Sequence, residues 1–427
     1  MPDALPANFH SLPGPGDIFR AVLPNGIVIL SRANFSSPSL VLRGSLLAGA
    51  LFDPQAQLGL ADFTALGLMR GTAQRPFQDI YESLESVGAS LSLSGGTHTT
   101  AFSGRALAED LELLFNLLAE VLRQPVFPLE QVERLRAQLL TSLAMRLQDT
   151  GEMAALTFDQ IVYQDHPYSR PEDGYPETIQ AIQRQHLASF HQKHYGPRGM
   201  LLAVVGAVQP DRVQKIAAAV LGDWKNPDQP EPPALPGVAP LEGVIRRQVS
   251  IAGKSQADIV LGAAGPSRFS DDYLAALLGN DILGQFGMMG RIGEALREKS
   301  GLAYHASSSL SGGLGPGPWD INAGVHPDDL ESAIRLSIME IQRFVNEPVS
   351  EGELADTKAN FIGRLPLSME SNFGVASALL SLERYQLGLD YYQRFPDLVQ
   401  SINREQVLQA ARHYLHPERL AIAIAGP

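Results

Sequence analysis

The chain has 427 residues, 44% of them hydrophobic, which supplies cores for two or three domains and excludes a disordered chain. Its 33 basic and 46 acidic residues give a formal charge of −13, which argues against nucleic acid or an anionic membrane as main partner. Cysteine is absent, so neither a disulfide framework nor a thiolate metal site can form.

Met1 to Gly16 is rich in Pro and Gly and lacks the basic start and apolar stretch of a secretion signal. No later segment reaches the ~18 apolar residues of a membrane helix. The expectation is a cytoplasmic protein with no membrane partner and an N-terminal extension at 1–17. Leu23-Pro24-Asn25-Gly26 ahead of Ile27-Val28-Ile29-Leu30 predicts a turn feeding a strand, since Asn-Gly supports positive φ. Next stands Gly59-Leu60-Ala61-Asp62-Phe63-Thr64-Ala65-Leu66-Gly67-Leu68-Met69-Arg70-Gly71-Thr72, where Asp62 suits the first turn of a helix. Leu107, Leu111, Leu114, Phe115, Leu118 and Leu122 recur at helical spacing, as do Val132, Leu135, Leu139 and Leu143. His186, His191 and His194 share one stretch, and the last two lie one turn apart. Without a third ligand they read as helix-end polarity. Met200 to Val205 is a strand-length apolar run.

From Lys225 to Pro240 the prolines deny helix and ladder and predict an extended linker over 223–242. On either side the chain repeats. Leu111 and Leu330 open similar helices 219 residues apart, and Ile182 and Ile402 stand in similar segments 220 apart. The strands ending at Gly206 and Gly426 are again 220 apart. A near-constant step across separate motifs predicts a duplicated unit, with domains at 18–222 and 243–427. Strands mixed with helix pairs in each half point to sheets covered by helices, an α+β protein. Gly284, Gly287 and Gly290 lack the arrangement of a phosphate-binding loop, and Ser311 to Pro318 predicts a hairpin loop.

The segment from Gly59 to Thr72 resembles the G-L-A-H-F-x-E-H-M-x-F-x-G-T stretch of pitrilysin-like (insulinase-type) zinc metallopeptidases, in which H-x-x-E-H binds zinc and supplies the general base. Here Asp62, Ala65 and Leu66 occupy the His, Glu and His positions, and Thr141-Ser142 stands where the family shows the pair containing its third ligand. Catalytic zinc needs three protein ligands and a separate carboxylate. The reading of Asp62 is therefore a helix N-terminal residue or a vestigial ligand. Asp165-His166-Pro167-Tyr168-Ser169-Arg170-Pro171 and Phe190 to Tyr195 extend the likeness. It implies two homologous domains, each a mostly antiparallel sheet with helices, facing a central chamber.

In the second half, Leu283-Gly284-Gln285-Phe286-Gly287-Met288-Met289-Gly290-Arg291-Ile292, followed by Glu294 to Tyr304, is similar to the family's L-G-x-x-x-x-S-R-L-x-x-x-x-R-E-x-x-G-L-A-Y. The resemblance implies substrate-holding roles for Arg297 and Tyr304. A guanidinium can bond peptide carbonyls and a phenol can donate to an oxyanion; a solvated helix cation and a core strand aromatic are the plainer readings. The chain is thus expected to be a noncatalytic, substrate-binding subunit of a heterodimeric zinc endopeptidase. It would hold no cofactor, its homologous partner would carry H-x-x-E-H and the zinc, and Arg297 and Tyr304 would act on peptide in that partner's active site. A stand-alone peptide-binding homodimer and a scaffold subunit of a larger complex are the alternatives.

Overall fold

The computed structural model describes residues 12–287 and 290–427, so most of the expected N-terminal extension and the Met288-Met289 pair lie outside the described residues. In chain order the first half forms β1 (Phe19–Val22), β2 (Val28–Ala33), β3 (Ser39–Leu46), α1 (Leu60–Gly67), α2 (Phe77–Glu85), β4 (Ser90–Gly95) and β5 (Thr100–Leu107). It continues with α3 (Leu111–Arg123), α4 (Leu129–Arg146), α5 (Thr150–Val162), α6 (Pro176–Ala181), α7 (Arg184–His194), β6 (Leu201–Gly206) and α8 (Pro210–Leu221). The second half forms β7 (Ile245–Ser250), β8 (Ala257–Ala264), α9 (Tyr273–Gly284), α10 (Gly290–Gly293), a π-helical turn at Glu294–Lys299, β9 (Ala303–Leu310) and β10 (Pro318–Val325). It ends with α11 (Leu330–Asn346), α12 (Glu351–Ser368), α13 (Asn372–Arg384), α14 (Tyr391–Ser401), α15 (Arg404–Tyr414) and β11 (Ala421–Gly426).

The duplication is visible in the sheets. One has the order β1-β2-β6-β3-β5-β4 and the other β7-β11-β8-β10-β9. Apart from β1, an added antiparallel edge, the strands correspond one to one. In both, the single parallel pairing is the one closed by the late strand: β2 with β6 and β7 with β11. Every other pairing is antiparallel. The helices follow: α3 answers α11, α6 answers α14 and α7 answers α15.

Two compact units result, and they are not the contiguous halves. Among the described residues, unit 1 collects 12–141, 171–233 and 364–395, and unit 2 collects 142–170, 234–363 and 396–427. The expected ranges 18–222 and 243–427 describe what was duplicated, whereas each compact unit takes a helix from the other half. The physical reason lies in side-chain size. In unit 2, Ala421, Ala423 and Ala425 alternate along β11 and leave room for Ala154, Phe158, Ile161 and Val162 of α5 to close on the sheet. In unit 1, α13 covers β6 and β3 in the same way, burying Val375, Ala376, Leu379 and Leu380.

The proline-rich stretch has neither helix nor strand, as its composition predicts, yet it is docked. Gln229 is 2% exposed in unit 1, and Val238 and Leu241 pack on the core of unit 2. No helix among the described residues is long and apolar enough to cross a membrane.

Candidate functional site

The zinc-motif frame folds as α1 of unit 1. Gly59 starts it at φ +91, and a side chain there would stand 2.8 Å from Asp173 O, so only glycine fits. Asp53 caps the helix from the preceding loop, its carboxylate accepting from Gly59 N and Ala61 N, each at 2.9 Å. Burial raises the Asp53 carboxyl to about 7 against those bonds.

Asp62 lies in the first turn, and its Oδ1 accepts from Gly95 N at 2.9 Å, fastening α1 to the edge strand β4. The approach is close, since a side chain on Gly95 would stand 2.4 Å from Asp62 Cα. Burial lifts the Asp62 carboxyl to about 6; the Gly95 bond opposes the rise, and Asp173 and Glu172 add to it. Ala65 is fully buried and Leu66 is half-buried. Thr141 Oγ1 donates to Ala137 O at 2.9 Å within its own helix. These residues do not fit zinc: one carboxylate is committed to a backbone N–H, and an alanine and a leucine offer no lone pair. Among the described residues no cluster of three His, Cys, Asp or Glu has the geometry to hold a metal.

The three histidines are each engaged. His186 Nδ1 accepts from Gln183 N at 3.0 Å, His191 Nε2 donates to Leu122 O at 2.8 Å, and His194 packs between Phe52 and Phe190. Burial, with Lys193 adding to it, drops His194 to about 4. His186 serves the start of α7, and His191 and His194 serve its last turn.

The second motif spans α9, α10, the π-helical turn and the start of β9, in unit 2. Its two arginines part company. Arg291 is 8% exposed and forms a bidentate pair with Glu353 at 2.7 and 2.8 Å, which holds the Glu353 carboxyl down at about 2. That pair went unseen in the sequence because its members stand 62 residues apart. Arg297 sits in the π-helical turn with its side chain 42% exposed, and its one ion pair among the described residues is a 3.8 Å contact with Glu298. Such turns are frequent at functional sites.

Four residues after Ser300, beyond a glycine turn in which Gly301 N donates to Arg297 O at 3.0 Å, Tyr304 enters the edge strand β9. It is 64% exposed, and its hydroxyl has no partner among the described residues. The reading of Tyr304 as a core strand aromatic therefore fails. Arg297 and Tyr304 flank one turn, open to solvent and unneeded by the packing of their own unit.

Two family descriptions match the chain: "Insulinase (Peptidase family M16)" over residues 31–171 and "Peptidase M16 inactive domain" over residues 181–361. An uncharacterised zinc protease of Streptomyces coelicolor is 26% identical over 365 residues, covering 84% of this chain and 78% of its own length. The beta subunit of the mitochondrial processing peptidase of Saccharomyces cerevisiae is 24% identical, covering 83% and 79%. A solved M16 inactive domain from Pseudomonas fluorescens superposes with a TM-score of 0.89 at 27% identity, covering 96% of this chain and 98% of that one.

Proposed function

This chain belongs to peptidase family M16, and from that premise we propose that it is a noncatalytic, substrate-binding subunit of a heterodimeric zinc endopeptidase. The observation that carries the reading is a contrast within one molecule. The zinc-motif positions hold Asp62, Ala65 and Leu66, committed to packing and a backbone bond, while Tyr304 stands exposed and Arg297 is held only by a 3.8 Å contact with the adjacent Glu298. Side chains kept free of their own fold are available to a ligand. In the proposal a homologous partner carries H-x-x-E-H and its zinc, Arg297 binds peptide carbonyls, and Tyr304 donates a hydrogen bond to the oxygen that gains charge as the amide is attacked. The likeness to a subunit of a processing peptidase supports a paired arrangement.

The test is peptide cleavage by the complex of this chain with its catalytic partner. Arg297→Ala should raise KM, and Tyr304→Phe should lower kcat, by on the order of 10- to 1000-fold, with folding and pairing intact. Wild-type rates for both variants would remove the substrate-binding role. The isolated chain should not hydrolyse peptides.

A further inference from the structure

A cavity of about 380 Å³ opens in unit 2 where the linker meets the sheet. Its walls are apolar: Val162 from the end of α5, Val238 and Leu241 from the linker, Ala264 from the end of β8, and Pro316 from the loop between β9 and β10. Its rim is basic, formed by His413, His416 and Arg419 from the last turn of α15 and the loop that follows. His413 is occupied, donating from Nδ1 to Asp272 Oδ2 at 3.1 Å while the Tyr414 hydroxyl donates to Asp272 Oδ1 at 2.9 Å. The side chains of His416 and Arg419 have no partner among the described residues. The Arg419 guanidinium therefore stands at an apolar hollow with no carboxylate beside it among the described residues.

The duplication supplies an internal control. The corresponding loop of unit 1, between α7 and β6, carries Gly196 and Gly199, each 220 residues before His416 and Arg419. There the linker fills the space. The Gln229 amide oxygen lies 2.2 Å from where a Gly196 side chain would begin; that oxygen accepts from Arg198 N at 3.0 Å, and Nε2 donates to Arg198 O at 3.1 Å. One linker thus plugs the first loop with an amide and leaves the second hollow, and at the two positions where the plugged loop has glycines the hollow one has an imidazole and a guanidinium.

We propose that this cavity is a binding site for a small carboxylate with an apolar body. The walls take the body, as in most small-ligand pockets, and Arg419, with His416 beside it, takes the carboxylate through charge-assisted hydrogen bonds. A bound ligand also fastens linker residues 238–241 to unit 2. Calorimetric titration of the full chain with hexanoate tests the site, with hexan-1-ol and hexylamine as controls. Hexanoate should bind saturably at one site, about tenfold or more tighter than either control. Arg419→Gln, an exposed substitution, should weaken it about tenfold. Ala264→Phe, which fills the hollow, should abolish it. Thermolysin should cut the linker more slowly with hexanoate present. Absence of hexanoate binding, equal binding of the alcohol or the amine, or unchanged binding in Arg419→Gln would overturn the proposal.

Discussion

The seam between crossing helix and sheet occurs twice in this molecule, with one topology and opposite charge. In unit 1, α13 lies across β6 and β3 with arginines along the contact. The Arg43 guanidinium stands 4.0 Å over the Phe373 ring and donates to Ser377 Oγ, and Arg384 donates to Ser45 Oγ at 2.9 Å. Burial, then the charge of Arg384, pulls the pKa of Arg43 down. In unit 2, α5 lies across β11 and β8 with carboxyls instead. Asp159 is pushed up to about 7 by burial and by Asp320, and Asp320 is pushed up to about 6 by burial against bonds from Ser309 and Asn322. Tyr163 and Tyr168 line the same acidic side. What the seams share is apolar: a helix face of Ala, Val, Leu, Ile or Phe laid on a sheet. The difference teaches that apolar fit fixes the topology, while the polar residues along it diverge freely.

If that is right, the largest losses should come from the apolar layer. Phe158→Ala in α5, at a site 1% exposed, should cost about 3–5 kcal/mol. Phe373→Ala in α13, at a site 50% exposed, should cost under about 1 kcal/mol. Denaturant midpoints of both variants check this, and equal losses would break the comparison.

The carboxyl seam should show next in its pH dependence. The folded pKa values of Asp159 and Asp320 lie above the ordinary 3.8, so the folded state holds more protons than the unfolded one between about pH 4 and 7. Their contribution is fully present below the unfolded pKa and is lost as pH rises through about 6 to 7. The double variant Asp159→Asn, Asp320→Asn should therefore have a flatter stability profile and be more stable than wild type at pH 8, by about 1–3 kcal/mol. Thermal melts from pH 4 to 8 measure it, and parallel profiles would remove the acids from the account. An effect as small as that of Phe373→Ala belongs to Arg43→Gln, which gives up the ring contact but relieves repulsion from Arg384; a loss of about 0.5–1 kcal/mol is expected. A double-mutant cycle with Phe373→Ala reads the coupling.

Much of this was legible in the sequence because duplication repeats patterns at a fixed step. Leu111 and Leu330 do open equivalent helices, and the strands ending at Gly206 and Gly426 do occupy the same place in their sheets. The frame around Asp62 was legible too, since glycines at tight approaches leave a local signature. What escaped was every choice of distant partner. Nothing local to Ala154 and Phe158 says that their sheet is formed from residues 245 onward, and nothing around Arg291 names Glu353. The exposure of Tyr304 was equally hidden, because a strand aromatic reads the same at an edge as in a core.

The traded helices also set an order of events in synthesis. When the strands of unit 1 up to Gly206 have emerged from the ribosome, the helix that covers them, Asn372–Arg384, has not been made. Conversely α5 has been made, and its apolar face must wait for β8 and for the alanines of β11, which begins at Ala421. Neither unit can finish folding during translation of its own half. Until then the nascent chain carries one sheet face and one helix face without their apolar cover, an interval in which it is exposed to aggregation.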